Sequence, residues 1–440
     1  MTAPASVGAP DDPRLRDDGL GWVTRALFAD ERWRVSIGRR PAPGSLSWAV
    51  VPSVERARFL VPLGDRRVAA GSVLAYNALR SGPTRAVRAV IGAFARAGAV
   101  EALPFPVLSA STGSSSSAGS DGSAGSDGSA GSDGSAGPDG SAGSGGGSLL
   151  GHLAAVLGEP VVAAIGVRPP DPNRKPTLQL FGADGQPRGY AKVGWNGATR
   201  ALVRAESRAL RGLPPAPGGD YPVTPRPLHA GEWAGQEIAV TAPLPADVRR
   251  LSDPDRPRTA AMLAVARRGG PPGARVPLTS FLAGLATSEI QGAGGTAIRA
   301  AIAALTGRAG GVTVELGDWH GDWVPWNLGE VPAAGGEARL VAWDWEHSAA
   351  GVPVGFDLAH QAFNTALVVG GRSAAEAATE AAEALRHHGS VLGLEPAAAG
   401  PIADAYLIEM WLRTHRLAAG GAGWNPDLHP ALLEVLASRS

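Results

Sequence analysis

His320-Gly321-Asp322-Trp323-Val324-Pro325-Trp326-Asn327 sets an aspartate and an asparagine five positions apart. On a loop between short strands, that spacing lets both side chains reach one centre. Asp322 is expected to orient an attacking hydroxyl and accept its proton, while Asn327 offers an amide oxygen to a magnesium ion. Asp and Asn also favour ordinary turns, so the pair alone does not make a site. A third group does. Seventeen positions beyond Asn327, Trp343-Asp344-Trp345-Glu346 ends a strand pattern in which Leu340 and Ala342 share a face with Asp344. A carboxylate there suits the second, harder ligand of Mg²⁺, which favours oxygen donors and completes its shell with water and phosphate oxygens.

A second group lies upstream. Lys192 falls within Gly189-Tyr190-Ala191-Lys192-Val193, which reads as a strand, and the helix predicted from Gly197 carries Glu206. Leu202, Glu206 and Leu210 are four apart and share one helix face. Arg200, Arg204 and Arg208 form a row nearly opposite. Glu206 therefore projects among apolar neighbours and needs a cation, for which Lys192 is the nearest candidate. A lysine held in this way presents a compact positive charge to nucleotide phosphates.

These residues need elements to carry them. The 440-residue chain is long enough for two or three domains. The tract from about Ser109 to Ser148, in which a Ser-Ala-Gly-Ser-Asp-Gly unit repeats from Ser117, has almost nothing to bury and is expected to be a flexible Gly/Ser/Asp linker. Residues 1–19 are expected to be disordered. Residues 20–108 read as an α+β module without catalytic residues, with strands at Trp33–Ile37, Leu46–Val51 and Arg58–Pro62 and helices at Val68–Leu79 and Thr84–Ala97. Residues 149–245 are rich in strand patterns, and residues 246–440 are mostly helical with short strands. A strand-rich half followed by a helix-rich half predicts two lobes of α+β type.

Composition narrows the partners. Lys+Arg 40 balance Asp+Glu 40, which gives no overall attraction for nucleic acid or anionic membrane. The chain has no cysteine, so disulfides and Cys-ligated metals are excluded. No stretch has the apolar length of a membrane span, and the N-terminus lacks the apolar core of a signal peptide. A cytoplasmic location is expected, with neither nucleic acid nor membrane as partner.

The series Lys192, Glu206, His320-x-Asp322-x-x-Pro325-x-Asn327 and Asp344-Trp345-Glu346 resembles the aminoglycoside phosphotransferase and choline kinase group of protein-kinase-like enzymes. Gly351-Val352-Pro353 and Phe356-Asp357-Leu358-Ala359 are similar to that group's motif after the metal-binding aspartate. The match covers about Leu149 to the C-terminus. The resemblance implies a bilobal kinase fold, here with residues 20–108 as an N-terminal appendage. It implies ATP with Mg²⁺ as cofactors and transfer of the γ-phosphate to a hydroxyl of a small molecule, of the aminoglycoside, amino alcohol or sugar class. By carry-over, Asp322 is the catalytic base, Asn327 and Asp344 are the metal ligands, and Lys192 with Glu206 anchors the phosphates. Asp357 is expected to be structural, near the start of the next helix. Val240–Pro245 falls where the hinge would lie, so adenine would meet backbone groups of Thr241 and Ala242, because Pro243 cannot donate.

One departure stands out. The turn Gly166–Lys175 holds Pro169, Pro170 and Pro172 in place of a glycine-rich loop, leaving Arg168, Arg174 or Lys175 as candidates to meet phosphate. A protein kinase is disfavoured by that turn and by the lack of D-F-G and A-P-E signatures. The competing expectation is a pseudokinase that binds nucleotide or a partner and signals by docking. Trp319 and Trp323 are expected to line an acceptor pocket.

Overall fold

In the computed structural model, residues 12–16, 19–28, 32–112, 147–167, 174–213, 219–268, 270–286, 290–332, 338–421 and 427–439 are described. Helix α1 (Gly21–Leu27) precedes strands β1 (Trp33–Gly38), β2 (Leu46–Val51) and β3 (Phe59–Pro62). Helices α2 (Arg66–Leu74) and α3 (Gly82–Arg96) follow, then β4 (Val107–Thr112) and α4 (Leu149–Leu157). The strand-rich part continues with β5 (Val162–Gly166), β6 (Thr177–Phe181), β7 (Pro187–Gly194), α5 (Gly197–Gly212), β8 (Pro227–Trp233) and β9 (Gln236–Thr241). All nine strands join one antiparallel sheet in the order β1-β4-β2-β3-β5-β6-β7-β9-β8.

That order corrects the expected appendage. Phe59 and Leu60 of β3 pair with Gly166 and Ile165 of β5, so the N-terminal strands share a sheet with those that carry Lys192. An edge strand left open by either part would expose a row of unpaired backbone groups, and the β3–β5 ladder covers both edges. The start of the linker also moves. Ser109–Thr112 belong to β4, where Val107, Leu108 and Ala110 are buried and the strand pairs on both sides. At the other end, Ser148 caps α4 by accepting the Gly151 N–H at 3.1 Å. Residues 113–146 of the expected linker lie outside the described residues. So do residues 1–11, 17 and 18 of the expected disordered N-terminus, but Pro13–Leu15 form a short 3₁₀ turn and Leu15 enters the core.

The C-terminal part is mainly helical: α6 (Thr259–Ala266), β10 (Arg275–Pro277), α7 (Leu278–Ala286), α8 (Gly292–Arg308), β11 (Thr313–Trp319), β12 (Leu328–Val331), β13 (Arg339–Ala342), β14 (Ala349–Pro353), α9 (Phe356–Asn364), α10 (Ala374–His388), α11 (Ala399–Ala419) and α12 (Leu428–Ser438). The molecule is therefore α+β. A large core runs through these helices and includes Phe356, Phe363, Tyr406 and Trp411. Three elements set the chemistry. The antiparallel hairpin β12–β13 pairs Leu328 with Ala342, so the residues just before β12 and just after β13 meet at one end. The Trp343 N–H donates to the Asn327 carbonyl at 3.1 Å and closes that end. Helix α5 packs against the turn Trp345–His347, which brings the strand-rich half onto the hairpin. No helix among the described residues is long and apolar enough to cross a membrane.

Candidate active site

The loop after β11 is held by backbone contacts from two helices. The buried carboxylate of Asp357, in the first turn of α9, accepts the His320 N–H at 2.8 Å and the Gly321 N–H at 3.0 Å. Asp357 thus secures the neighbouring loop instead of capping its own helix, whose N-cap position is Gly355. Burial pushes its carboxyl up to about 7, against the pull of those two N–H donors. Arg413 of α11 donates to the Gly321 carbonyl and lies over the Trp319 ring at 5.4 Å. Gly321 has φ +79°, and a Cβ there would lie 2.1 Å from the His347 carbonyl oxygen. Only glycine fits this close crossing.

Within the loop, His320 is fully buried. Its Nε2 donates to the Trp343 carbonyl at 3.0 Å and its Nδ1 accepts the Asp322 N–H at 3.2 Å. Asn327 sits in the 3₁₀ turn Pro325–Asn327. Its amide nitrogen donates to the Asp322 carbonyl at 3.1 Å and to Asp322 Oδ2 at 2.7 Å. With both amide hydrogens committed, the amide oxygen is the atom left to ligate a cation. Burial would raise the Asp322 carboxyl, yet the hydrogen bond from His360 prevails and holds it well below the usual carboxylate range.

Asp344 follows β13 with φ 71° and ψ 53°, a left-handed backbone that a non-glycine residue adopts at a cost on the order of 1–3 kcal/mol. Its Oδ1 contacts the Lys192 ammonium, which also lies 2.7 Å from Glu206 and 3.4 Å from Glu346. Lys192 comes from β7, paired with Thr177 and Ala239, and Glu206 comes from the buried face of α5. Burial opposes charge on Lys192, but Asp344, Glu206 and Glu346 together raise its pKa. Oxygen atoms of Glu206, Asp344 and Glu346 lie within 4.8 Å of one another. Set against Lys175 and Lys192, the three carboxylates leave one negative charge in excess. Burial raises Glu206, whereas Glu346 is lowered by Lys175 despite its own burial.

The residues expected from the sequence are therefore gathered in two groups, Asp322 bonded to Asn327, and Lys192 in contact with Glu206 and Asp344. The hinge pair fits less well. Thr241 ends β9 opposite Tyr190 and Pro227, but the Ala242 N–H already donates to the Arg226 carbonyl at 2.7 Å. A donor spent inside the protein is not offered to adenine, which leaves the carbonyl as the Ala242 backbone group for that expected role.

The proline turn changes in a similar way. Arg168 lies outside the described residues. Arg174 stands over the Trp22 ring at 5.2 Å. Lys175, only 1% exposed, forms a buried ion pair with Glu346 at 2.7 Å. The tryptophans are redistributed as well. Trp319 and Trp323 are 2% and 0% exposed and belong to the core, while Trp326 beside Asn327 is 47% exposed. Trp326 is the loop tryptophan able to meet a ligand.

Several contacts had no usable signal in the sequence. His360 Nε2 lies 3.1 Å from Asp322 Oδ1, and Tyr406 Oη lies 3.1 Å from His360 Nδ1. Both partners come from helices distant in sequence. Glu346 lies two positions from a candidate ligand, and a carboxylate next to an aromatic run was the available hint that it needs a buried cation.

No protein-family model matches the chain, and no curated protein matches it in sequence. Among solved structures the chain is similar to choline kinase LicA from Streptococcus pneumoniae, at 17% identity over 60% of this chain and 89% of that one, with a TM-score of 0.33. It is similar to LicA in complex with AMP at 16% identity over 66% and 98% of the two chains, with a TM-score of 0.39. A choline/ethanolamine kinase family protein from Mesorhizobium loti is similar at 16% identity over 59% and 89%, with a TM-score of 0.26.

Proposed function

We propose that the chain is an ATP- and Mg²⁺-dependent phosphotransferase that moves the γ-phosphate to a hydroxyl of a small molecule of the amino alcohol, sugar or aminoglycoside class. The observation that carries this reading is the arrangement at the end of β12–β13. Asn327, just before β12, bonds Asp322 at 2.7 Å, and Asp344, just after β13, contacts a lysine clamped by a buried glutamate. An amide oxygen and a carboxylate, with the buried carboxyl groups of Glu206 and Glu346 close to the latter, form a donor set suited to Mg²⁺. Asn327 and Asp344 would hold it, and it would neutralise charge on the transferring phosphate when bound. Lys192 supplies a compact cation to the phosphates, fixed in direction by Glu206. Asp322 orients the acceptor hydroxyl and receives its proton. Thr241 is the hinge residue we assign to the adenine.

A pseudokinase reading draws on the engaged Ala242 N–H and on the pairing of Lys175 with Glu346, which remove two expected nucleotide contacts. Magnesium dependence separates the two. ATP consumption is measured against a panel comprising an amino alcohol, a hexose and an aminoglycoside, with Mg²⁺ titrated. Asp344→Ala is expected to lower turnover by about 100-fold or more while the fold persists, several kcal/mol of charge stabilisation being lost. Near-normal turnover in folded Asp344→Ala would remove the metal site from the account.

A further inference from the structure

His360 occupies the middle of α9, is buried, and touches Asp322 directly. Three polar atoms compete for its ring. Asp322 Oδ1 and Asn364 Nδ2 each lie 3.1 Å from Nε2, and Tyr406 Oη lies 3.1 Å from Nδ1. Chemistry resolves the competition. An ionised carboxylate only accepts, so the Nε2 facing Asp322 must carry the hydrogen. Nδ1 then bears the lone pair, and the Tyr406 hydroxyl donates to it. Asn364 donates instead to the His360 carbonyl, also at 3.1 Å. The ring is further fixed by edge contacts with Trp319 and Tyr406, at centroid distances of 6.2 Å and 5.9 Å.

Asp322 is thus gripped at both oxygens, Oδ1 by His360 and Oδ2 by Asn327. The Asn327 contact was legible from the loop. The His360 contact has another consequence, because it comes from a helix outside the loop and sets the carboxylate plane against the packed core. We propose that His360 is a positioning residue for phosphoryl transfer at Asp322, with the Tyr406 hydroxyl holding its other ring nitrogen. This rests on the reading of Asp322 as the group that meets the acceptor hydroxyl. In that step the acceptor oxygen bonds to the γ-phosphorus and the bond from that phosphorus to the bridging oxygen of ADP breaks. ADP leaves with the bond's electron pair, and the acceptor proton passes to an Asp322 oxygen. His360 takes no proton, since the nitrogen facing Asp322 already carries one. Its contribution is orientation, which matters because misplacing a reacting group by about 1 Å costs about 100-fold in rate.

The test compares wild type, His360→Leu, His360→Gln, Tyr406→Phe and Asp322→Asn, each checked for folding by circular dichroism. Glutamine sets an amide N–H near the position of Nε2, whereas leucine has no donor. Turnover of MgATP with the acceptor panel, and with water as acceptor, is expected to fall by about 10–100-fold in His360→Leu with the KM for ATP little changed. His360→Gln should recover most of that loss, and Tyr406→Phe should lie between. A second readout is independent of activity: imidazole ¹⁵N chemical shifts should show the His360 hydrogen on Nε2 in wild type and in Tyr406→Phe, and a mixed tautomer in Asp322→Asn. Wild-type turnover in His360→Leu, glutamine no better than leucine, or a hydrogen on Nδ1 would each overturn the positioning role. If wild type turns over no faster than Asp322→Asn, the phosphotransfer reading itself fails and the inference with it.

Discussion

His320 and His347 carry their imidazoles neutral into the interior, each pushed down from 6.5 to about 4 by burial. A folded pKa below the unfolded value means that the fold favours the neutral form. The stability this contributes is present above about pH 6.5 and is lost as the pH falls through the window down to about 4, on the order of 3 kcal/mol per group. Asp357 acts in the opposite sense. Its raised value gives stability at low pH that is lost as the pH rises through about 7. Comparison with a variant isolates the histidine contribution. The thermal midpoint of wild type should fall between pH 7 and 4, and that of His320→Gln should fall less steeply; equal slopes would contradict the assignment. At this scale the sequence was informative wherever a residue's partner lay close by or its charge demanded a partner. Glu206 pointed to Lys192 because a carboxylate among leucines needs a cation. Tyr406 and Arg413 could not be anticipated, because their contacts depend on how α11 packs.

The loop after β11 works as a unit only because Gly321 allows the His347 carbonyl to cross it. Gly321→Ala would add strain at a positive φ and a Cβ 2.1 Å from that oxygen. The expected cost exceeds about 1 kcal/mol, with loosening of the N–H contacts to Asp357. A urea midpoint equal to wild type would show that the loop relaxes without penalty. Elements with an apolar pattern were legible, as with Leu46–Val51, whose expected and observed limits coincide. Strand β4 was hidden because Ser109, Ser111 and Thr112 look like the start of the Gly/Ser tract. Its identity as a strand comes from β1 and β2, which flank it and pair along its length. Strands β10 and β14 are short and contain proline or glycine, so they carry little pattern of their own.

Across the whole molecule, the nine-stranded sheet ties the N-terminal strands to the strand that bears Lys192. A second tie runs from the segment after α2. The Tyr76 hydroxyl donates to the Leu244 carbonyl at 3.2 Å, and its ring lies 5.5 Å from that of Tyr190. Tyr76 and Leu79 also pack on a small core of Val248, Val331 and Val341, which joins the segment to the β12–β13 hairpin. Local pattern could not show this, since Tyr190 and Leu244 lie 114 and 168 residues from Tyr76. The part of the chain with no catalytic residues therefore buttresses the segment on which a nucleotide would rest. The central claim remains that Asp322 performs transfer while Lys192, Asn327 and Asp344 hold the nucleotide and its metal. Asp322→Asn keeps the size and reach of the side chain but removes its charge. The decisive measurement sets MgATP binding by calorimetry beside ATP turnover with the acceptor panel, in wild type and in Asp322→Asn. The account predicts retained binding and a loss of turnover of about 10²–10⁴-fold in the variant. Equal turnover in the two proteins would contradict it.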